Sequence, residues 1–385
     1  MSLKQKGEIC IIDKYINRLI TEGSPAVPLW NMERTLSGKE PHWNYIDGSF
    51  LISLWNLYQL TGDEKYAKFA DEFVDYHIDD NGMPLLYKID TYNLDNICMG
   101  RVLFDVYEYS KREKYLKTID ILVQQLDKQP RTSEGNYWHK LIYPNNVWLD
   151  GLYMAQVFRT RYALKFDLPE VLNDICKQFE TVRLRMFDNQ TGLYRHAYDE
   201  KKSIFWADKK TGQSPHVWLR SMGWFMMAMA DIISYLPPCE IKEKLTKLLV
   251  ELLTNLKKYA DKETGMYYQV PDLPRHRGNY LESSGSSMVA YTMLKAARLG
   301  LVGGEFRLEG LRNFKGICEK YLTEKDGKLN LGGICLSAGL GPATNTRRNG
   351  SFQYYMSEPV VENDAKGVAP FLMCYVETLM IKENT

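Results

Sequence analysis

The chain has 385 residues, a length that fits roughly two or three average domains or one large closed architecture. Its 49 basic and 48 acidic side chains nearly cancel and form no dense cationic run, so neither nucleic acid nor a membrane is an expected partner. The first residues lack the apolar core of a signal peptide, and no later stretch holds about 18 uncharged apolar residues, so we expect a cytoplasmic protein.

Amphipathic segments recur along the chain from its N-terminal end. In each of them apolar residues recur at positions i, i+3, i+4 and i+7 among Lys and Glu, which predicts helices with one buried face. These segments are residues 7–20, 64–78, 113–126, 169–184, 240–259 and 306–322.

More apolar segments alternate with the amphipathic ones. Each starts with a polar cluster that contains Gly or Ser and continues as an apolar helical run: residues 43–62, 92–111, 145–164, 214–233, 278–300 and 359–380. A helix that is apolar on most sides must be buried, whereas a helix with a charged face can cover it from outside. The alternation predicts an all-α fold, an (α/α)6 barrel in which six inner helices are wrapped by six outer helices. Since no linker divides the chain, we expect a single domain over residues 1–385.

The polar clusters predict a common mouth for this barrel. Consecutive helical hairpins bring the N-terminal ends of all inner helices to one face. The charged residues expected there are Asp47, Asp95, Asp150, Arg220, Glu282 and Glu362 or Asp364. Acidic residues at helix starts are usually caps, and we expect that role for Glu282 and Asp364.

Aromatic residues make up 12% of the chain, and 26 of them are tyrosines. Tyr and Trp suit sugar-binding grooves, because their faces stack on flat ligands and their tips form hydrogen bonds. An arginine at the same mouth, Arg220, has the planar guanidinium that holds a carboxylate through two parallel hydrogen bonds. Carboxylates, rings and this arginine together indicate an enzyme acting on acidic saccharides or a toroid that binds them.

Five motifs in a fixed order resemble those of one enzyme family. They are "YPNNVWLDGLYMA", "GLYRHAYDE", "SPHVWLRSMGW", "YLESSGSSMVAYTMLKAARLG" and "YYMSEPVVENDAKGVAPFL". From Trp43 to the last helix the chain resembles the unsaturated rhamnogalacturonyl hydrolases, glycoside hydrolase family 105. The related unsaturated glucuronyl hydrolases of family 88 share the fold and the paired aspartates.

The resemblance implies a glycosidase of pectin degradation that releases unsaturated galacturonate from rhamnogalacturonan-derived oligosaccharides. Polysaccharide lyases leave a terminal uronic acid with a C4=C5 double bond, and the family hydrates this enol ether. An acid delivers a proton to C4, water adds at C5, and the resulting hemiketal opens and releases the neighbouring sugar. No metal and no organic cofactor is implied.

The resemblance also implies roles for individual residues. Asp150 matches the family's acid/base residue, and Asp95 matches its second aspartate, which contacts sugar hydroxyls. We expect the pKa of Asp150 to lie above its ordinary value, because its neighbours Trp148, Leu149 and Leu152 are apolar and a second carboxylate faces it.

The other expected site residues bind the substrate. His139 and Lys140 lie in a segment that forms part of the family's sugar pocket, and His196 matches a histidine near the reacting ring. Trp218 and Arg220 match residues that hold the unsaturated uronate. The expected pocket walls are Asn44, Tyr45, Tyr143 and Trp224.

Three alternatives stay open at this point. An unsaturated glucuronyl hydrolase would act on lyase products of glycosaminoglycans or ulvan-type polymers. A sugar epimerase shares the toroid but relies on a histidine pair, and a non-catalytic protein would bind sugar without turnover. The expected partner is an unsaturated uronyl disaccharide or short oligosaccharide, bound by a monomer or weak homo-oligomer.

Cysteine and histidine spacing bounds the chemistry further. The seven cysteines are widely spread without a C-x-x-C pattern, which favours a reducing compartment. The six histidines show no H-x-x-x-H pattern, so no zinc site is expected.

Overall fold

A computed structural model describes residues 3–383 of the chain, and the side chains of residues 11–381. The side chain of Cys10 therefore lies outside the described part. Residues 1–2 and 384–385, which the expected domain includes, also lie outside it. The α-helices are α1 (Leu3–Glu22), α2 (Met32–Ser37), α3 (Tyr45–Thr61), α4 (Glu64–Tyr76), α5 (Gly100–Ser110), α6 (Glu113–Lys128), α7 (Leu149–Gly151), α8 (Val157–Phe166), α9 (Pro169–Met186), α10 (Leu219–Tyr235), α11 (Glu240–Leu256), α12 (Ser283–Arg298), α13 (Gly304–Tyr321), α14 (Phe352–Ser357) and α15 (Ala365–Glu383). A π-helical turn (Leu152–Gln156) joins α7 to α8, so that the three form one continuous element.

The strands are short and lie in the connections between helices. They are β1 (Asn146–Trp148), β2 (Phe187–Asp188), β3 (Leu193–Tyr194), β4 (Ala197–Asp199), β5 (Leu322–Lys325), β6 (Lys328–Leu331), β7 (Ile334–Cys335) and β8 (Val360–Val361). They pair antiparallel as β1 with β4, β2 with β3, β5 with β6 and β7 with β8.

The helices form the (α/α)6 barrel that the alternation predicted. Six inner elements contact one another in a closed ring, in the order α3, α5, the α7–α8 element, α10, α12, α15 and back to α3. The outer elements α4, α6, α9, α11 and α13 pack on this ring, and α1 joins it where the Tyr375 hydroxyl donates to Asp13 Oδ1 at 3.0 Å.

Inner and outer helices differ as their sequences require. In outer helix α6 the apolar residues Tyr115, Ile119, Leu122 and Leu126 are buried, and the positions between them are mostly polar and partly exposed. In inner helix α10, by contrast, every side chain from Leu219 to Ile233 is buried. The inner ring is therefore stable only when the outer ring covers it.

The N-terminal ends of the inner helices meet at one end of the barrel, as expected. Two of the acidic residues there are caps. Glu282 accepts the backbone N–H groups of Ser284 (3.1 Å) and Gly285 (2.6 Å), and Asp364 accepts that of Lys366 at 3.0 Å. Both capping expectations are confirmed, so these carboxylates stabilise the helix starts.

No helix in the described part of the chain combines the length and the apolar character needed to cross a lipid bilayer.

Glycine at the start of α3 permits close packing at the mouth. A Cβ on Gly48 would lie 2.6 Å from the Cα and 2.7 Å from the Cβ of Met99, which precedes α5. Because the nearest atoms belong to backbone or to the first side-chain carbon, they cannot move aside without shifting the ring.

We therefore expect Gly48→Ala to destabilise the protein by about 1–3 kcal/mol, the usual cost of overpacking a core. Chemical denaturation followed by tryptophan fluorescence measures this. Gly304→Ala is the matched control, since its Cβ would meet no atom within 4 Å in the first turn of outer helix α13. Equal stability of the two variants would contradict close packing at Gly48.

Candidate active site

A short strand pair places Asp150 beside His196. Trp148 in β1 pairs with Ala197 in β4, and the Leu149 N–H donates to the His196 carbonyl at 3.2 Å. The chain then turns into α7, and Asp150 Oδ2 lies 3.5 Å from His196 Nε2. Backbone pairing across two distant segments thus sets the position of the expected acid.

The same scaffold holds Asp95 beside His139. The His139 N–H donates to the Asn146 carbonyl (2.9 Å), and the His139 carbonyl accepts from the Leu94 N–H (3.1 Å). Asp95 Oδ1 lies 3.5 Å from His139 Nε2, and Lys140 Nζ lies 2.5 Å from Asp95 Oδ2. The two predicted aspartates therefore each face a predicted histidine.

Stacked rings join the two Asp–His pairs. The His139 ring stacks on Trp148 with 4.5 Å between centroids, and Trp148 stacks on Tyr143 at 4.8 Å. The edge of Trp148 also meets His196 at 5.3 Å. A Cβ on Gly339 would lie 3.3 Å from the Trp148 ring, so the glycine-rich loop of residues 337–342 packs directly against this stack.

The expectation of a raised pKa for Asp150 is wrong for the free protein. Burial disfavours the charged carboxylate, but the contact with His196 and the positive charges of His196 and His139 outweigh burial, so the pKa lies below its ordinary value. The second carboxylate does not counteract this, since Asp95 is paired with Lys140. Imidazole neighbours, absent from the local sequence around Asp150, account for the difference.

The charges of the second pair are arranged differently. Burial lowers the pKa of His139 to about 4, so this imidazole is neutral near pH 7 and carries its charge only at the low pH at which the Asp150 carboxyl group also titrates. Burial also acts to lower the pKa of Lys140, but the charge of Asp95 outweighs it and raises that pKa. Asp95 thus faces the ammonium group of Lys140, whereas Asp150 faces the imidazole of His196.

Buried polar atoms without partners mark the site as one that awaits a ligand. Asp150 Oδ2, His196 Nε2 and His139 Nδ1 are buried and have no hydrogen-bond partner of good geometry in the described part of the chain. Buried polar groups are nearly always paired, so such a group of exceptions needs an explanation. A bound polar ligand would supply it.

Tyr355 is a site residue that we did not predict, although it lies within one of the quoted motifs. The other ring nitrogen of His196, Nδ1, lies 2.8 Å from the Tyr355 hydroxyl, and both side chains are fully buried. The Trp218 ring packs on His196 (4.7 Å) and on Tyr355 (6.0 Å), and its Nε1 donates to Gln269 Oε1 at 3.1 Å. His196 is thus held on two sides, which only the folded structure reveals.

Arg220 is more tightly tethered than the sequence suggested. It is buried, and its guanidinium donates to Ser284 Oγ (3.2 Å) and to the Cys335 carbonyl (2.5 Å). Glu282 accepts the Cys335 N–H at 3.0 Å, so the same segment is bound to α10 and α12. The expected contact of Arg220 with a uronate stays a prediction.

A second charged group borders the mouth and was also missed. Lys366 Nζ contacts Glu33 Oε1 and Asp364 Oδ1, each at 2.9 Å. Burial raises the pKa of Tyr45, and the charges of Glu33 and Asp95 raise it further. Glu33 lies in α2, outside the six repeats, so repetition gave no signal for it.

Two of the expected pocket walls have structural partners. The Asn44 side chain caps α3, accepting the Asp47 N–H (3.0 Å) and donating to Asp47 Oδ2 (2.7 Å). Trp224 is only 2% exposed and packs on Tyr153 at 4.6 Å in the barrel interior. For both residues, contact with substrate stays a prediction.

Within the described residues, no three His, Cys, Asp or Glu side chains are arranged so that they could hold a metal ion.

Comparison with known proteins relates this chain to a family of glycosyl hydrolases. The sequence model of Glycosyl Hydrolase Family 88 matches residues 27–382. A 24.9 kDa protein in the picA locus of Rhizobium radiobacter is 36% identical over 237 residues, covering 59% of this chain and 99% of that protein. The unsaturated rhamnogalacturonyl hydrolase YesR of Bacillus subtilis is 26% identical over 267 residues, covering 67% of this chain and 72% of YesR.

A solved structure resembles the whole fold. It is that of a C. acetobutylicum ATCC 824 glycoside hydrolase from family 105, which is 38% identical to this chain. Its TM-score is 0.88, and the match covers 97% of this chain and 99% of that one.

We expect His196→Leu to raise the pKa of Asp150 above its ordinary value, because burial persists while the contact and charge of His196 are lost. In the native protein the lowered pKa adds stability that is present above the unfolded pKa and is lost as the pH falls through the folded pKa. In the variant, ionised Asp150 instead costs stability as the pH rises above the unfolded pKa. Carbon NMR titration of the carboxyl group, assigned with Asp150→Asn, measures the shift.

His276→Leu is the matched control, since this exposed histidine belongs to a different segment and should leave the titration of Asp150 unchanged. If the Asp150 carboxyl group has the same pKa in His196→Leu as in the unchanged protein, His196 does not set that pKa.

Proposed function

The chain belongs to Glycosyl Hydrolase Family 88, and we propose that this hydrolase releases unsaturated galacturonate from rhamnogalacturonan-derived oligosaccharides. The match to a family 105 structure across nearly the whole chain and the similarity to YesR support a hydrolase of unsaturated uronyl sugars. YesR is an unsaturated rhamnogalacturonyl hydrolase, which supports rhamnogalacturonan as the source of the substrate.

One observation carries the assignment of roles, namely the unequal surroundings of the two aspartates. Asp95 is paired with Lys140 at 2.5 Å, an arrangement that suits an acceptor for sugar hydroxyls. Asp150 has instead an imidazole, whose Nε2 lies 3.5 Å from Oδ2 without a hydrogen bond of good geometry. Two carboxylates in different environments can take different roles in proton transfer.

In the proposed reaction Asp150, in its protonated form, gives a proton to C4 of the unsaturated ring. Positive charge develops at C5 beside the ring oxygen, and water adds there while returning a proton to Asp150. The hemiketal then opens and releases the neighbouring sugar. Asp150 is protonated again at the end of the reaction, so the chain's own residues complete the cycle.

Substrate binding has to favour the protonated form of Asp150. A bound uronate displaces water and brings its own negative charge towards the carboxylate, and both effects raise a carboxyl pKa. Lys140 and Lys366 already face carboxylates, but the hydrogen bonds of Arg220 go to a hydroxyl and a carbonyl, so its charge is available to an anionic sugar. The lowered pKa of Asp150 therefore belongs to the free protein, and bound substrate raises it.

We also propose that residues 1–385 act as one catalytic domain in the cytoplasm, as a monomer or weak homo-oligomer. The family match over residues 27–382 supports a single unit. Free cysteines in the described part, among them buried Cys98, Cys335 and Cys374, fit a reducing compartment.

Purified lyase products provide the direct assay. We expect the ultraviolet absorbance of the conjugated enol ether to disappear with the wild-type protein and saturated uronides to resist cleavage. Asp150→Asn should lower kcat by on the order of 10²–10⁴-fold while leaving substrate binding measurable, because only the proton donor is lost. Asp167→Asn, an exposed carboxylate beyond the far end of α8, is the matched control.

The same assay separates the substrates. Galacturonyl-rhamnose products should be consumed faster than unsaturated glucuronyl products of glycosaminoglycans or ulvan. Faster glucuronyl turnover would replace the proposed substrate, and near-normal turnover by Asp150→Asn would remove Asp150 from the reaction.

The pH dependence of activity tests whether bound substrate raises the pKa of Asp150. Activity that needs protonated Asp150 falls as the pH rises through its pKa. We expect a higher apparent pKa in kcat, which reports the complex, than in kcat/KM, which reports the free enzyme. An equal or lower value in kcat would contradict a substrate-induced rise.

A further inference from the structure

A polar cavity opens at the end of the barrel that lies opposite the mouth. Its volume is about 140 Å³. Asp231 in α10 lies eleven residues beyond Arg220, which is about 16 Å along a helix. The charged residues that line this cavity, here called the floor cavity, are Arg101, Asp105, Arg161, Asp231 and Lys295, and Asn56, Gln59, Tyr235 and Tyr291 lie beside them.

Asp231 is surrounded by more positive charge than it can neutralise. Its Oδ2 accepts from Arg101 Nη2 at 2.7 Å, and its Oδ1 accepts from Lys295 Nζ (2.7 Å) and from the Tyr291 hydroxyl (2.6 Å). Burial acts to raise the pKa of Asp231, but the charges of Lys295 and Arg101 outweigh it and lower the pKa to about 2. Near pH 7 one carboxylate therefore faces two cations.

The second ion pair of the cavity does not remove this surplus. Arg161 donates to Asp105 through both terminal nitrogens, with Nη1–Oδ2 at 2.5 Å and Nη2–Oδ1 at 2.9 Å. This bidentate pair is neutral by itself. Three cations and two anions thus line the cavity, which leaves one uncompensated positive charge.

Arg101 has unused donors at this position. It is 3% exposed, and its Nε and Nη1 have no hydrogen-bond partner in the part of the chain that the structure describes. These two atoms carry three of the five N–H groups of the guanidinium. A single hydrogen bond to the neighbouring Tyr153 hydroxyl would therefore leave N–H groups without a partner. Arg101 is paired with Asp231 through Nη2 alone, and its guanidinium lies over the Tyr153 ring at 4.6 Å. Buried donors without a partner are costly, and such groups usually hold an ion or water.

We propose that the floor cavity binds a small oxyanion, such as inorganic phosphate or a small carboxylate, between Arg101 and Lys295. One negative charge would cancel the surplus, and both the guanidinium of Arg101 and the ammonium of Lys295, which line the cavity, are donors that bind oxyanions. The cavity volume is several times what one water molecule needs, so a small oxyanion fits. This site is separate from the mouth and does not depend on the proposed function.

Thermal unfolding and calorimetry of the full chain test the proposal. Sodium phosphate, and in a second arm sodium acetate, replaces sodium chloride at constant ionic strength. We expect a saturable rise of Tm and measurable heat with phosphate for the wild-type protein. Acetate distinguishes carboxylate from phosphate as the preferred oxyanion.

Charge variants locate the binding. Lys295→Met removes the surplus charge and should weaken phosphate binding by on the order of tenfold or more. Asp105→Asn increases the surplus and should strengthen binding several-fold, which keeps the test decisive if Lys295→Met folds poorly. Lys140→Met, a change at the mouth, should leave the phosphate effect intact.

Three results would overturn the proposal. No saturable rise with either oxyanion would mean that water alone fills the cavity. An unchanged effect in Lys295→Met or in Asp105→Asn would place the anion elsewhere. Loss of the effect in Lys140→Met would place it at the mouth.

Discussion

The closed ring of inner helices is the constraint on which the rest of the structure depends. Helices such as α10, buried along nearly their whole length, cannot face water, so they must surround one another and be covered by amphipathic partners. Ring closure with alternating hairpins then makes every inner helix run in the same direction. Each helix start carries free N–H groups that need acceptors, which draws Glu282, Asp364 and Asn44 to the mouth.

The need to cap the helix starts explains why the acidic residues at the mouth have different roles. Glu282 and Asp364 are occupied by backbone N–H groups. Asp95 and Asp150 instead face histidines, and their positions come from backbone hydrogen bonds between loops. The loops thus add two carboxylates to a ring whose helix starts are already capped by other residues. Their partners differ, since Asp95 faces a lysine and Asp150 an imidazole, and the proposed roles rest on this difference.

The repeat pattern was enough to predict most of the architecture. Apolar periodicity distinguishes inner from outer helices because burial on all sides and burial on one side require different sequences. The histidines near the carboxylates were also predicted, through motif resemblance. Tyr355 and Glu33 were not assigned, because their contacts with His196 and Lys366 join segments far apart in the chain.

The sequence by itself determined the six-fold alternation, the mouth and the family resemblance, and it singled out Asp95 and Asp150 as the predicted catalytic pair. Only the tertiary structure decided how those aspartates are charged. Local neighbours of Asp150 are apolar and suggested a raised pKa, but folding adds His196 and His139, whose charges lower it. The same holds at the floor cavity, where Arg101, Asp231 and Lys295 come from three helices. A pKa depends on all charges within a few ångströms, and most of these come from distant parts of the sequence.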